Sequence, residues 1–221
     1  AQRAVSACIE RFGGVDIVVN NAAIIRDGFI FKSSAAAWDA VIRTNLTGAY
    51  RLLAVATPAM REQVKNGRAG GAIVNIGQSA YGAAKAGLIG LTRVVAHDLA
   101  RSKITCNAIT PFAATRVTES IQPANEAQAA YKKKALEISP IYIARLATFL
   151  ASPAAAHISG QLFGARGREL FLFSQPRPKM KQVVPQGAHD LAAMATAIRA
   201  FEPDFTDLVT DLEAFSTDPV L

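Results

Sequence analysis

Apolar residues recur at helical spacing over residues 1–12, where Ala4, Val5, Cys8, Ile9 and Phe12 would share a face, and Gly13-Gly14 ends the run. The period then changes. Val15-Asp16-Ile17-Val18-Val19-Asn20 is short, β-branched and almost continuously apolar, the pattern of a strand buried on both faces of a parallel sheet. Helical periodicity returns over residues 35–65, with a break near Asn45 to Gly48. Ala72-Ile73-Val74-Asn75-Ile76 reads as a second strand. A long helix over residues 81–101 follows, with Ala84, Leu88, Leu91, Val95 and Leu99 as its apolar stripe. Residues 104–109 form a third strand, and a Pro111-containing loop leads into a polar, Ala-rich helical stretch reaching Glu137. A helix over residues 140–151 precedes a fourth strand beginning at Gly160-Gln161-Leu162-Phe163-Gly164. Leu170-Phe171-Leu172-Phe173 suits one further short strand, residues 175–185 read as a linker or surface arm, and residues 190–201 as a terminal helix. Strands alternating with helices predict an α/β protein with a doubly wound parallel sheet. The sheet domain is expected over residues 1–168 and a C-terminal extension over residues 169–221.

Composition narrows the class. The 221 residues are 51% hydrophobic, enough to bury a real core. Cys8 and Cys106 lie in periodic stretches where a small buried thiol is the ordinary expectation, and no disulfide framework is implied. His97, His157 and His189 are dispersed without zinc-site spacing, so no metal is predicted. No uninterrupted apolar stretch approaches the ~20 residues that span a bilayer, and no signal-peptide pattern opens the chain. The reading is therefore of a protein without a membrane partner, in a reducing, cytoplasmic setting. The net charge of +7 suits an anionic partner such as a dinucleotide, coenzyme A or nucleic acid. With one Trp, four Tyr and no nucleic-acid motif, a nucleic-acid partner is not expected. Lys132-Lys133-Lys134 reads as a solvated helix face.

The chemistry concentrates at Tyr81-Gly82-Ala83-Ala84-Lys85, where an i,i+4 spacing puts a phenol and an ammonium on one helix face. A phenol titrates near ~10, and a neighbouring cation stabilises the phenolate, making it a usable general acid or base nearer neutrality. Tyr and Lys four apart are also common on ordinary helices, so the pair gains weight only from its surroundings.

Those surroundings are specific. Asn20-Asn21-Ala22-Ala23 at a strand end, Asn45-Leu46-Thr47-Gly48 in the next helix, Ile73-Val74-Asn75-Ile76, and Tyr81-Gly82-Ala83-Ala84-Lys85-Ala86-Gly87 stand in the order of short-chain dehydrogenase/reductase motifs. Asn107-Ala108-Ile109-Thr110-Pro111, Thr115 and Ser159-Gly160-Gln161 continue the likeness, so the chain resembles that family over roughly residues 1–168. The resemblance implies a Rossmann-like sheet, NAD or NADP as cofactor, and interconversion of a hydroxyl and a carbonyl on a small-molecule substrate. Tyr81 would exchange the proton with the substrate oxygen, Lys85 would hold the nicotinamide ribose and lower the tyrosine pKa, and Asn45 would anchor a water in the proton relay. Asn21 and Ala22 would line the cofactor cleft, and Pro111 would also contact the cofactor at the start of a mobile segment over the substrate that runs to Lys134, with Thr115 near the cofactor carboxamide. Ordinary turn chemistry would equally explain Asn21 and Ala22. The segment from Pro111 to Arg116 and the run Ser159 to Gly164 look most like members acting on 3-hydroxyacyl or 3-oxoacyl thioesters. A homodimer or homotetramer built on the Tyr81 helix is implied by resemblance alone.

Two features depart from the family pattern. Its Gly-rich turn, whose backbone amides cradle the pyrophosphate, is not found before Val15, so the N-terminal strands of the sheet are expected to lie outside these residues. The catalytic serine, expected about a dozen residues before the tyrosine, has no counterpart, since Ile76 is followed at once by Gly77-Gln78-Ser79-Ala80-Tyr81. Ser79 aligns with the residues just before the tyrosine rather than with that serine. A catalytically silent subunit partnering an active paralogue is therefore the alternative reading.

Overall fold

A computed structural model describes residues 1–26, 33–77, 82–120, 122–123, 125–174, 179–181, 191–205 and 217–221. Helix α1 (Gln2–Phe12) ends where Gly13 takes a left-handed φ of 73°, a conformation a side chain would resist. Strand β1 (Ile17–Asn20) follows, two residues shorter than its apolar pattern suggested. The predicted 35–65 helix is three pieces: α2 (Ala35–Ile42), a π-helical turn (Arg43–Thr47) and α3 (Gly48–Lys65). The break expected near Asn45 is thus a local rewinding of a continuous helix rather than a loop.

Strand β2 (Ala72–Ile76), helix α4 (Gly82–Leu99) and strand β3 (Thr105–Phe112) come next. Pro111 was expected in a loop after a strand ending at Ile109. It lies instead inside β3, in register with Ala165 of β4 (Leu162–Arg166). Successive N–H groups of β3 point alternately to β4, as at Ala108, and to β2, as at Thr105, so the Pro111 position faces β2, whose register with β3 already ends at Ile76↔Ile109. The Ala-rich stretch forms two helices, α5 (Arg116–Ser120) and α6 (Glu126–Ala135), followed by α7 (Ile141–Leu150).

The sheet runs β1-β2-β3-β4-β5, parallel except that β5 (Glu169–Leu172) folds back antiparallel on β4. Its two faces bury separate clusters. On one, Val18, Ile73 and Cys106 pack against Val5 of α1, Leu53, Ala56 and Met60 of α3, and Ala96 and Leu99 of α4. On the other, Val74, Ile109 and Ala165 meet Ile143, Leu146 and Leu150 of α7. Strand order advances in one direction while α7 lies opposite α3 and α4, so the crossover from β3 to β4 has the reverse hand of the two before it. Apolar strand residues alternate between these layers, which is why β2 and β3 read as continuous apolar runs.

The compact unit comprises Ala1–Ser174 with Pro219–Leu221. Within it, Glu169 pairs with the buried Arg166 at 2.7 Å, and Val220 exchanges hydrogen bonds with Arg168 N–H (2.8 Å) and the Glu169 carboxylate (3.3 Å). The second unit, Gln175–Asp218, contains α8 (Leu191–Arg199), close to the predicted terminal helix. Most of the predicted 175–185 arm lies outside the described residues.

Candidate active site

Parallel strands end together, and the carboxyl ends of β1 and β2 open into a cleft of about 340 Å³. Asn20 lines it from β1, Asn21 and Ala22 from the segment just after it, Thr44, Asn45, Gly48, Ala49 and Leu52 from the π-helical turn and α3, Ile76 from β2, and Lys85 and Leu88 from α4. Its walls are mainly apolar with a few polar groups, the usual make-up of a small-molecule site.

Lys85 is the chemical centre of the cleft. It is 5% exposed, and its ammonium donates to the Ile76 carbonyl at 3.2 Å. Burial penalises the charged form and holds its pKa below the ordinary lysine value of 10.5. An ammonium carries three donors, of which Ile76 takes one. Gly77 permits this approach, because a Cβ there would stand 2.8 Å from Lys85 Cδ.

Asn45, 2% exposed, is held by a two-way bond to one backbone unit: its Oδ1 accepts from Ile24 N–H and its Nδ2 donates to Ile24 O, both at 2.9 Å. The π-helical turn aims the side chain at the segment leaving β1. It also packs on α4 at Gly87, where a Cβ would come 2.8 Å from Leu46 Cδ2. A side chain so committed clamps the cleft wall.

The structure thus gathers Asn21, Ala22, Asn45 and Lys85, drawn from three separate motifs, around one cleft. Tyr81 and Ser79 lie outside the described residues. Pro111 and Thr115 are not among the residues lining the cleft. Thr115 Oγ1 instead accepts from Thr118 N–H at 3.3 Å at the start of α5, a helix-capping role. Thr44, Leu52, Leu88 and the Ile76 carbonyl were not anticipated, since ordinary aliphatic and backbone groups carry no sequence signal of a site. No group of three or more His, Cys, Asp or Glu side chains could hold a metal among the described residues.

A mostly parallel sheet covered on both faces, with its cleft at the strand carboxyl ends, defines a Rossmann-like α/β protein. The same architecture occurs in the crystal structure of a short chain dehydrogenase from Mycobacterium avium, which aligns over 92% of this chain and 70% of that one with a TM-score of 0.73 and 29% identity. The model of a family described as enoyl-(acyl carrier protein) reductase matches residues 1–166. The chain belongs to the short-chain dehydrogenase/reductase family, a family of oxidoreductases. It is 35% identical over 217 residues to the hydroxyacyl-CoA dehydrogenase ChsB1 of Mycobacterium tuberculosis, covering 90% of this chain and 68% of that protein. It is 34% identical over 168 residues to the 3-oxoacyl-[acyl-carrier-protein] reductase FabG of Vibrio cholerae, covering 73% and 69%. The chain spans about two thirds of the length of these relatives.

Proposed function

We propose that the full-length protein is an NAD- or NADP-dependent oxidoreductase interconverting a hydroxyl and a carbonyl on a 3-hydroxyacyl or 3-oxoacyl thioester. The observation that carries this reading is the buried ammonium of Lys85, placed in one cleft with Asn45 and the Asn21-Ala22 strand end. The relatives named as hydroxyacyl-CoA dehydrogenase and 3-oxoacyl-[acyl-carrier-protein] reductase support the substrate class.

The cleft fits half of a dinucleotide. A nucleoside-sized group can sit against its apolar walls, with Lys85 donating to ribose hydroxyls and Asn21 and Ala22 bordering the same space. Among the described residues, none able to cradle a pyrophosphate lines it. The bound nicotinamide supplies the hydride chemistry. Lys85 would hold the ribose, and its positive charge would favour the phenolate of Tyr81, four residues earlier on the sequence. Tyr81 would pass a proton to or from the substrate oxygen, and Asn45 would keep the segment at Ile24 in place. Pro111 and Thr115 would belong to the substrate-side segment rather than to this cleft. Assembly as a homodimer or homotetramer and a cytoplasmic location complete the reading. No helix among the described residues is long and apolar enough to cross a membrane.

The deciding experiment measures NADH and NADPH binding to the full-length protein, then their oxidation with a 3-oxoacyl thioester. Turnover abolished by Tyr81→Phe and Lys85→Met supports the proposal. Tight cofactor binding without turnover on any such thioester would refute it in favour of a catalytically silent subunit, an alternative that the missing serine counterpart motivates.

A further inference from the structure

Asn75 has no part in the chemistry proposed above, yet it is fully buried in the middle of the sheet. Along β2, Val74 and Ile76 pack in the α7 layer, whereas Ile73 packs in the layer of α3 and α4. Alternation puts Asn75 on the side of Ile73. There its Oδ1 accepts from Asn20 Nδ2 at 2.8 Å, and its Nδ2 donates to Thr92 Oγ1 at 2.9 Å, with Cys106 Sγ further off at 3.7 Å. Thr92, 1% exposed, gives its hydroxyl proton to the Leu88 carbonyl at 2.8 Å and so faces Asn75 as an acceptor.

The bonds form a directed chain from Asn20 on β1 through Asn75 on β2 to Thr92 and Leu88 on α4. Asn20 and Leu88 both line the cleft, while Asn75 and Thr92 stand behind that lining. Lys85 is one turn before Leu88 on the same helix, and its acceptor, the Ile76 carbonyl, belongs to the residue after Asn75. An apolar helix on an apolar sheet can settle in several packings of similar energy. A buried amide with all its bonds made in one arrangement selects that arrangement, because any slip leaves polar groups unpaired.

We propose that Asn75 and Thr92 are positioning residues, a buried hydrogen-bonded strut that sets the register of α4 on the sheet and thereby the approach of Lys85 Nζ to the Ile76 carbonyl. The strut's bearing on catalysis rests on the cofactor reading of the cleft; its effect on Lys85 does not.

The test follows the Lys85 side chain itself. Full-length protein labelled with 13Cε-lysine is titrated by NMR, with the Lys85 signal assigned by its loss in Lys85→Arg. Thr92→Val keeps the shape and removes the hydroxyl, while Thr92→Ser keeps the hydroxyl. Loosening α4 admits water to Lys85, so Thr92→Val is expected to raise its titration midpoint by about half a pH unit or more towards the ordinary lysine value. Asn75→Ser should shift it in the same direction, and Thr92→Ser should leave it at the wild-type value. The other titratable group in the strut, Cys106, has its thiol pushed up to about 12 and stays neutral throughout the range below that. An unchanged Lys85 midpoint in Thr92→Val, whatever its melting temperature, overturns the proposal and leaves the strut a purely structural feature. Nicotinamide nucleotide binding is measured on the same samples. A shifted midpoint without nucleotide binding removes the proposed function and keeps the strut; nucleotide binding with an unshifted midpoint does the reverse.

Discussion

The clamp between Asn45 and Ile24 allows a quantitative test of how the cleft wall is held. Asn45→Ala removes two hydrogen bonds of 2.9 Å, each worth roughly 1 kcal/mol net, and strands the Ile24 N–H and C=O. Ile24 is only half-buried, so water can reach its backbone and relieve part of that penalty. The expected loss is therefore about 2–3 kcal/mol rather than the full desolvation cost of two orphaned groups. Urea unfolding at fixed pH measures it as a lower midpoint with little change in slope. Asn45→Asp adds a signature that no cavity effect imitates. The carboxylate can still accept from Ile24 N–H but opposes Ile24 O, where Asn45 donated. Its folded pKa should then rise above the unfolded value near ~3.9. A raised acid contributes its stability below the unfolded pKa and loses it as pH climbs through the folded one. Asn45→Asp should accordingly recover towards the wild type on acidification, while Asn45→Ala stays parallel to it. A loss below about 0.5 kcal/mol in Asn45→Ala, with a flat pH response in Asn45→Asp, would show that the clamp holds nothing.

Lys85, whose folded pKa is depressed by burial, makes its least favourable contribution at neutral pH and a growing one as pH rises through the folded value towards 10.5. The stability of the wild type relative to Lys85→Met should therefore increase over that alkaline window in urea melts. Glu169 is depressed first by its hydrogen bond to Arg166, against an opposing desolvation effect, with smaller help from Val220 N–H. The stability it contributes is complete above about 4.5 and lost as pH falls through its folded value, so the advantage over Glu169→Gln should vanish in acid. Cys106, fully buried with its thiol pushed up to about 12 by desolvation, should resist iodoacetamide in the native protein and react fully in denaturant, as read by mass spectrometry.

Much of the fold was legible from local pattern. The alternation of apolar runs and helical stripes located the first four strands of the described sheet and the long α4 helix, because burial on two faces of a sheet and on one face of a helix writes different periods into the chain; the fifth strand was suggested by the length and aromatic content of its run. The break near Asn45 was visible too, although only the structure shows it as a π-helical turn serving one asparagine. Pro111 misled for a local reason: proline signals a chain break, but in β3 its missing donor falls where the ladder tolerates it.

The site divides along the same line. Sequence by itself determined the residue types and order, Asn20-Asn21-Ala22, Asn45 and Lys85, that mark the family and suggest a nicotinamide cofactor. What only tertiary structure decided is which of them meet: parallel strands bring Asn21, Ala22, Asn45 and Lys85 to one cleft and leave Pro111 and Thr115 outside its lining. It also decided that the Asn45 side chain is spent on Ile24, and that one of the three Lys85 ammonium donors goes to the Ile76 carbonyl. Periodicity records how each segment meets solvent or core, a one-dimensional property. Hydrogen-bond partners 21 residues apart, as between Asn45 and Ile24, or 55 apart, as between Asn20 and Asn75, exist only once strands and helices have packed.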